Sequence, residues 1–92
     1  MSEAASTGNA AFVTASQEVT KLSTAPSNDI KLQLYANFKQ GINGDNTTPA
    51  PGFMDFTGKA KWNAWTALKG TSKEDAQAKY IALVEELKKT HA

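Results

Sequence analysis

The chain has 92 residues, 40% of them apolar, ten Lys against nine acids and a formal net charge of +1. That length supports one small core. Zero Cys excludes a disulfide framework and, with a single His, the Cys/His zinc modules. A charge so near neutral also argues against a nucleic-acid binder, which carries a basic excess gathered on one face.

Residues 1–9 hold no large apolar side chain after Met1, so they have little to offset their ordering entropy and read as a flexible N-terminal tail. A helix follows over about Ala10 to Leu22, with Phe12, Ala15, Val19 and Leu22 on one face. Pro26 ends that pattern, because it lacks an N–H and biases Ala25 away from helix. The second helix opens at Ser27-Asn28-Asp29, which offers capping side chains. Ile30, Leu34 and Phe38 repeat every fourth residue beside a stripe of Tyr35, Lys39 and Ile42, and the helix closes at Gly41 or Gly44.

Residues 44–52 are dense in turn formers, and Phe53, Met54 and Phe56 beyond them are expected to pack down onto the core. The third helix covers about Gly58 to Lys69, with Lys61, Trp65 and Leu68 on one face, Trp62 beside them and Gly70 as C-cap. Thr71-Ser72-Lys73-Glu74 has the form of a capping box. The fourth helix, about Ser72 to Thr90, turns Ala76, Tyr80, Leu83, Val84 and Leu87 inward. Glu85 stands outside, in reach of Lys88 and Lys89. No segment alternates with period two, so the expected fold class is all-α. The short first and third connections and the long second one permit helices two and three to run parallel.

Catalytic chemistry is poorly supplied. The one imidazole, His91, is the penultimate residue, and there is no thiol. The acid pairs Glu74-Asp75 and Glu85-Glu86 fall in a capping region and on an outer helix face, so the expectation is no enzyme, no catalytic residue and no metal site. No window approaches the 18 apolar residues of a membrane span, and residues 1–9 lack the apolar stretch of a signal peptide. The chain reads as cytoplasmic.

Binding is better supplied. Tyr35 and Lys39 lie one helical turn apart with Phe38 adjacent, Lys61 precedes Trp62 and shares a face with Trp65, and Tyr80 is on the inner side of the fourth helix. Rings beside ammonium groups suit a nucleobase with its phosphates. Every basic residue is Lys and none is Arg, which allows phosphate binding by point charges and removes the planar bidentate fork. Each residue taken singly also has a plain reading. Phe38, Trp62 and Trp65 fit a core, Tyr80 fits a ring in the core with its hydroxyl in water, and Lys39 and Lys61 fit snorkelling surface lysines.

The runs YANFKQGINGD (35–45) and PGFMDFTGKAKWNAWTALKGTSKEDA (51–76) resemble the acyl-CoA-binding protein family. The match reads Y-x-x-[F/Y]-K-Q-x-x-x-G-D, then P-G-x-x-D-x-x-x-K-x-K-W-x-A-W, then L-K-G-T-S-K-E-D-A, and extends over residues 12–90 without an evident insertion. The resemblance implies an up-down-down-up four-helix bundle over residues 10–92. It implies non-covalent binding of medium- and long-chain fatty acyl-CoA by an intracellular carrier and pool former. By the same resemblance the nucleotide end is held by Tyr35, Lys39, Lys61 and Tyr80, with Phe38 where the family commonly has Tyr. A helix-one Lys of the family is matched by Thr20, and Lys21 beside it points about 100° away.

Leu32, Phe12, Met54 and Ile42 are candidates to line the acyl groove or to serve only the core. The carrier reading involves no cofactor beyond the acyl-CoA ligand, no nucleic acid and no stable membrane insertion. It leaves room for transient contact with donor or acceptor membranes or with acyl-CoA-using enzymes, and for a monomer. The alternative is a helical protein-interaction module that has lost its ligand; a thioesterase lacks a nucleophile–base pair.

Overall fold

The structure, a computed structural model, describes residues 7–91. Helix α1 (Ala10–Glu18) runs into a single 3-10 turn over Val19–Lys21. Helices α2 (Asn28–Asn43), α3 (Phe56–Thr66) and α4 (Lys73–Thr90) follow, with no strand among the described residues. Of the expected tail, residues 1–6 lie outside the described residues, whereas Asn9 belongs to the fold as the N-cap of α1. Each helix is started by a short polar side chain that accepts a backbone N–H three residues on. Asn9 accepts from Phe12, Ser27 from Ile30, Asp55 from Gly58 and Ser72 from Asp75.

Three expected boundaries are corrected. The α-helical part of α1 stops four residues short of Leu22, because the β-branched pair Val19-Thr20 tightens the last turn and the Thr20 hydroxyl donates to the Gln17 carbonyl at 2.7 Å. Helix α3 starts two residues earlier than Gly58, since Asp55 caps it, and its expected tail to Lys69 is a pair of tighter turns from Leu68 to Trp65 and from Lys69 to Thr66. The capping residue of α4 is Ser72, so the box is shifted by one from Thr71.

The side-chain register gives the topology. Between α1 and α4, Asn9 donates to Gln77 at 2.9 Å, Phe12 meets Tyr80 at 5.2 Å and Glu18 pairs with Lys88 at 3.0 Å. The numbers rise together, so the two helices are parallel. Between α2 and α4, Phe38 meets Tyr80 at 5.6 Å while the Gln77 amide donates to the Gly41 carbonyl at 2.8 Å, an antiparallel order. Between α2 and α3, Lys61 lies over Tyr35 and Lys39 over Trp65, again parallel. The bundle is therefore up-down-down-up. A 16-residue α2 is about 24 Å long, and the 44–55 connection is long enough to carry the chain back along it. Helix α3 packs on α2 alone among the helices.

Three rings fill the centre. Phe12, Phe38 and Tyr80 form a triangle with centroids 5.2–5.6 Å apart, and Leu34, Val84, Leu87 and Ala15 surround it. Helices α2 and α4 approach closely at Gly41, where a Cβ would stand 3.0 Å from the Gln77 side chain and 3.4 Å from the Phe12 ring. Gly44 ends α2 at φ +78°, a backbone region that favours glycine.

Near that end, the fully buried Gln40 amide donates to the Thr71 carbonyl at 2.8 Å and to Asp45 at 3.0 Å, and accepts the Trp65 indole N–H at 3.1 Å. The same indole N–H reaches the Gly44 carbonyl at 2.9 Å. Asp45 also accepts the Gly70 backbone N–H at 2.9 Å. Trp65 is thus the core residue its spacing indicates.

Phe53, Met54 and Phe56 do not pack onto the core; they are 77%, 70% and 75% exposed. Asp55 N–H closes a turn onto the Gly52 carbonyl at 3.0 Å, which puts Phe53 and Met54 at its two corners, and α3 begins at once afterwards. Of the two ion pairs expected for Glu85, that with Lys88 forms at 3.1 Å, while Lys89 reaches Glu86 instead.

Two stability tests follow from the Gln40–Trp65–Asp45 junction. Trp65→Ala is expected to cost about 3–5 kcal/mol in urea unfolding, because it opens a cavity and strands the Gln40 and Gly44 acceptors; a loss under about 1 kcal/mol would show that α3 is not anchored there. The Gly70 N–H and the Gln40 amide hold the Asp45 carboxyl below its ordinary value, with Lys69 assisting and burial opposing. A lowered folded value means the charge stabilises above the unfolded pKa of about 3.9 and stops doing so as pH falls through the folded one. Asp45→Asn should therefore melt below the wild type at pH 7, and the two melting curves should converge as the solution is acidified below about pH 4. A gap that is the same at both extremes would show that the charge contributes nothing.

Candidate functional site

The expected binding residues come from three helices, and the bundle gathers them around α2. Tyr35 and Phe38 of α2 and Tyr80 of α4 line one cleft of about 320 Å³ together with Ser16, Val19, Thr20 and Leu34. Antiparallel packing of α2 on α4 and parallel packing of α1 on α4 put these residues at one level of the bundle. The walls are mostly aromatic and aliphatic. Burial pushes the Tyr80 phenol up to about 12, so its hydroxyl stays a neutral donor throughout the neutral range.

A second cleft of about 410 Å³ lies between the N-terminal halves of α2 and α3, lined by Asn28, Lys31, Leu32, Phe56, Thr57, Ala60 and Lys61. It adjoins the first through one contact. The Lys61 ammonium, a wall of the second cleft, sits 5.4 Å from the centroid of Tyr35, a wall of the first. Lys39 makes the reciprocal crossing from α2 to α3, with its ammonium 5.5 Å from the Trp65 ring. Each lysine is thereby drawn onto a ring of the neighbouring helix instead of ranging through solvent. Neither forms an ion pair within 4.0 Å among the described residues.

Four of the five expected residues thus line two adjoining clefts, with Lys61 at the seam, while Lys39 lines neither and lies over Trp65. Of the four expected acyl-groove residues, Leu32 lines the second cleft. Phe12 is fully buried in the ring triangle, Ile42 packs half-buried against the core and Met54 is out on its turn. Asn28, Lys31, Thr57 and Ala60 escaped the sequence reading. Asn28, Lys31, Leu32 and Tyr35 recur at i, i+3, i+4 and i+7, a stripe that marks one side of α2.

The two departures from the family pattern also have a place. Phe38 brings its ring face to the cleft and carries no hydroxyl. Thr20 lines the cleft but its hydroxyl is occupied by the Gln17 carbonyl, and Lys21 is not among the lining residues. No lysine is among the described residues that line this cleft. No helix among the described residues is long and apolar enough to cross a membrane.

Comparison with known proteins finds relatives of this chain. The family described as Acyl CoA binding protein matches residues 9–84. Acyl-CoA-binding protein homolog 1 of Caenorhabditis elegans is 59% identical over 76 residues, which cover 83% of this chain and 88% of that one. Acyl-CoA-binding protein of Dictyostelium discoideum is 51% identical over 81 residues, covering 88% and 96%. The crystal structure of Oryza sativa Acyl-CoA-Binding Protein 2 superposes with a TM-score of 0.83 at 38% identity over 87% of each chain. With the fold, the motifs and the relatives in agreement, this chain belongs to the acyl-CoA-binding protein family.

Proposed function

We propose that this protein binds medium- and long-chain fatty acyl-CoA non-covalently and works as an intracellular carrier and reservoir of these thioesters. The observation that carries the reading is the seam at Tyr35 and Lys61, where a ring-lined cleft adjoins a second cleft whose walls include Leu32, Phe56 and Ala60. Coenzyme A has an adenine that stacks, phosphates that need cations and a thioester leading into hydrocarbon. The cleft of Tyr35, Phe38 and Tyr80 suits the base, Lys39 and Lys61 suit the phosphates, and the walls of Leu32, Phe56 and Ala60 suit the first part of the chain.

The energetics fit a two-ended ligand. Burying a methylene contributes roughly 0.8 kcal/mol, so a chain of about 14 supplies around 11 kcal/mol gross. Lost rigid-body freedom and ligand ordering offset a large part of that. Carriage without catalysis fits the residues at hand. The one imidazole, His91, stands at the C-cap of α4 with its Nδ1 2.7 Å from the Thr90 hydroxyl, and it lines neither cleft. Working as a monomer in the cytoplasm, without a further cofactor, completes this reading.

Titration calorimetry with palmitoyl-CoA, shorter acyl-CoAs, free CoA and free palmitate tests it. Affinity is expected to climb with chain length and to be far weaker for either half alone. Absence of binding to every acyl-CoA would overturn the carrier reading in favour of a protein-interaction module. Lys39→Ala and Lys61→Ala should each weaken acyl-CoA binding and flatten its salt dependence, while changing the unfolding free energy by no more than about 1 kcal/mol, the value of one exposed cation–π contact. A variant that unfolds would mark its lysine as structural.

A further inference from the structure

The junction that anchors α3 adjoins a dipeptide with chemistry of its own. Asn43 is the last residue of α2, and Gly44 follows it at φ +78°. It is the one Asn of the chain that precedes a Gly. The side-chain amide of an Asn can be attacked by the backbone nitrogen of the next residue, which closes a small ring. A following side chain shields that nitrogen, whereas glycine leaves it open. Asn28 and Asn63 are followed by Asp29 and Ala64, and Asn9, Asn37 and Asn46 have their amides tied in hydrogen bonds. Asn43 is exposed, and no hydrogen bond among the described residues holds its side chain.

Two further observations favour the reaction. The Gly44 N–H donates to the Gln40 carbonyl at 3.0 Å, the closing bond of the helix, and helix ends open at little cost. Opening is needed, because a helical Asn43 keeps its amide carbon away from the Gly44 nitrogen. The Lys73 side chain also passes this residue: a Cβ at Gly44 would meet its Cε at 3.5 Å. A cation there favours loss of the Gly44 amide proton and the oxyanion that forms on the attacked amide.

We propose that Asn43-Gly44 is a self-modifying site whose products loosen the anchor of α3. The Gly44 nitrogen bonds to Asn43 Cγ, the Cγ–Nδ2 bond breaks, and ammonia leaves with the Gly44 proton. Water then opens the ring. Opening at Cγ yields an aspartate at this position; opening at the main-chain carbonyl yields an isoaspartate, whose backbone runs through the former side chain and is one methylene longer. Either product places a carboxylate at the C-terminal end of α2, where the helix dipole disfavours it. The isoaspartyl form also displaces Gly44 and Asp45 from their partners, the Trp65 indole at 2.9 Å for the first and the Gln40 amide and Gly70 N–H for the second. Lys61 rides on α3, so a weakened acyl-CoA site in aged protein is a consequence that rests on the reading above. The site itself is tested without ligand.

The experiment ages the purified wild type in warm, mildly alkaline buffer and follows it by mass spectrometry. A gain of one dalton is expected in the tryptic peptide 40–59, placed by fragmentation at residue 43 and not at Asn46, in two chromatographically distinct products. Asn43→Gln, whose longer side chain closes a ring less readily, should stay unmodified there. Lys73→Gln should slow the reaction of the folded protein about twofold or more and leave its rate in urea unchanged. The modified wild type, resolved by ion exchange, should melt about 4 °C or more below the unmodified fraction. No mass gain at residue 43 of the folded protein, an unchanged rate in folded Lys73→Gln, or equal melting of the two fractions would overturn the proposal. Failure of palmitoyl-CoA binding by fresh protein would overturn the carrier reading and leave the modification site supported by its own mass and melting results.

Discussion

The position of α3 depends on one buried side chain. Gln40 has no exposure, and its amide is satisfied by Asp45 at the end of α2, by Trp65 of α3 and by the Thr71 carbonyl ahead of α4. Helix α3 meets the other helices only along α2, so an ordinary apolar contact would let it slide or roll. A hydrogen-bonded glutamine does not tolerate a slide, because each displaced partner becomes a buried group without water or protein to replace it. The indole N–H shared between Gln40 and Gly44 closes the same lock from the other side.

That lock sits at one end of α2, and the open cleft sits at the other. Polar, satisfied and directional contacts hold the C-terminal ends of α2 and α3, whereas their N-terminal halves are spanned by a cleft whose walls include Leu32, Phe56 and Ala60. The two lysines cross between them, each over a ring of the opposite helix. The two lysine charges thus lie between the polar junction at one end of α2 and the cleft at the other.

Much of this was readable beforehand because helical spacing reports burial directly. Phe12, Ala15, Leu34, Tyr80, Val84 and Leu87 are core by both routes, and the long second connection already allowed α2 and α3 to run parallel. Local sequence misled where tertiary context decides. Phe53, Met54 and Phe56 are apolar, and apolarity alone says inside; the Gly52–Asp55 turn and the Asp55 cap send them outside. Gln40, Asp45 and Asn9 were passed over because a polar residue on a helix or in a loop looks solvated until its distant partners are known. Glu18 with Lys88 is the same case, the partners standing 70 positions apart in sequence. The placement of Tyr35, Phe38, Tyr80 and Lys61 around adjoining clefts needed the register between helices, which no single helix reveals.

The parallel pairing of α1 with α4 fixes where the polypeptide enters and leaves the bundle. It enters at Asn9, bonded to Gln77 near the start of α4, and leaves at His91, whose carbonyl accepts the Ser23 and Thr24 N–H groups beside the α1–α2 link. These points are separated by most of an 18-residue helix, about 21 Å from Gln77 to His91. Circular permutation of this fold would accordingly need a linker of many residues, and two cargo proteins fused before Asn9 and after His91 would emerge at opposite poles, held apart by α4 as by a spacer rod.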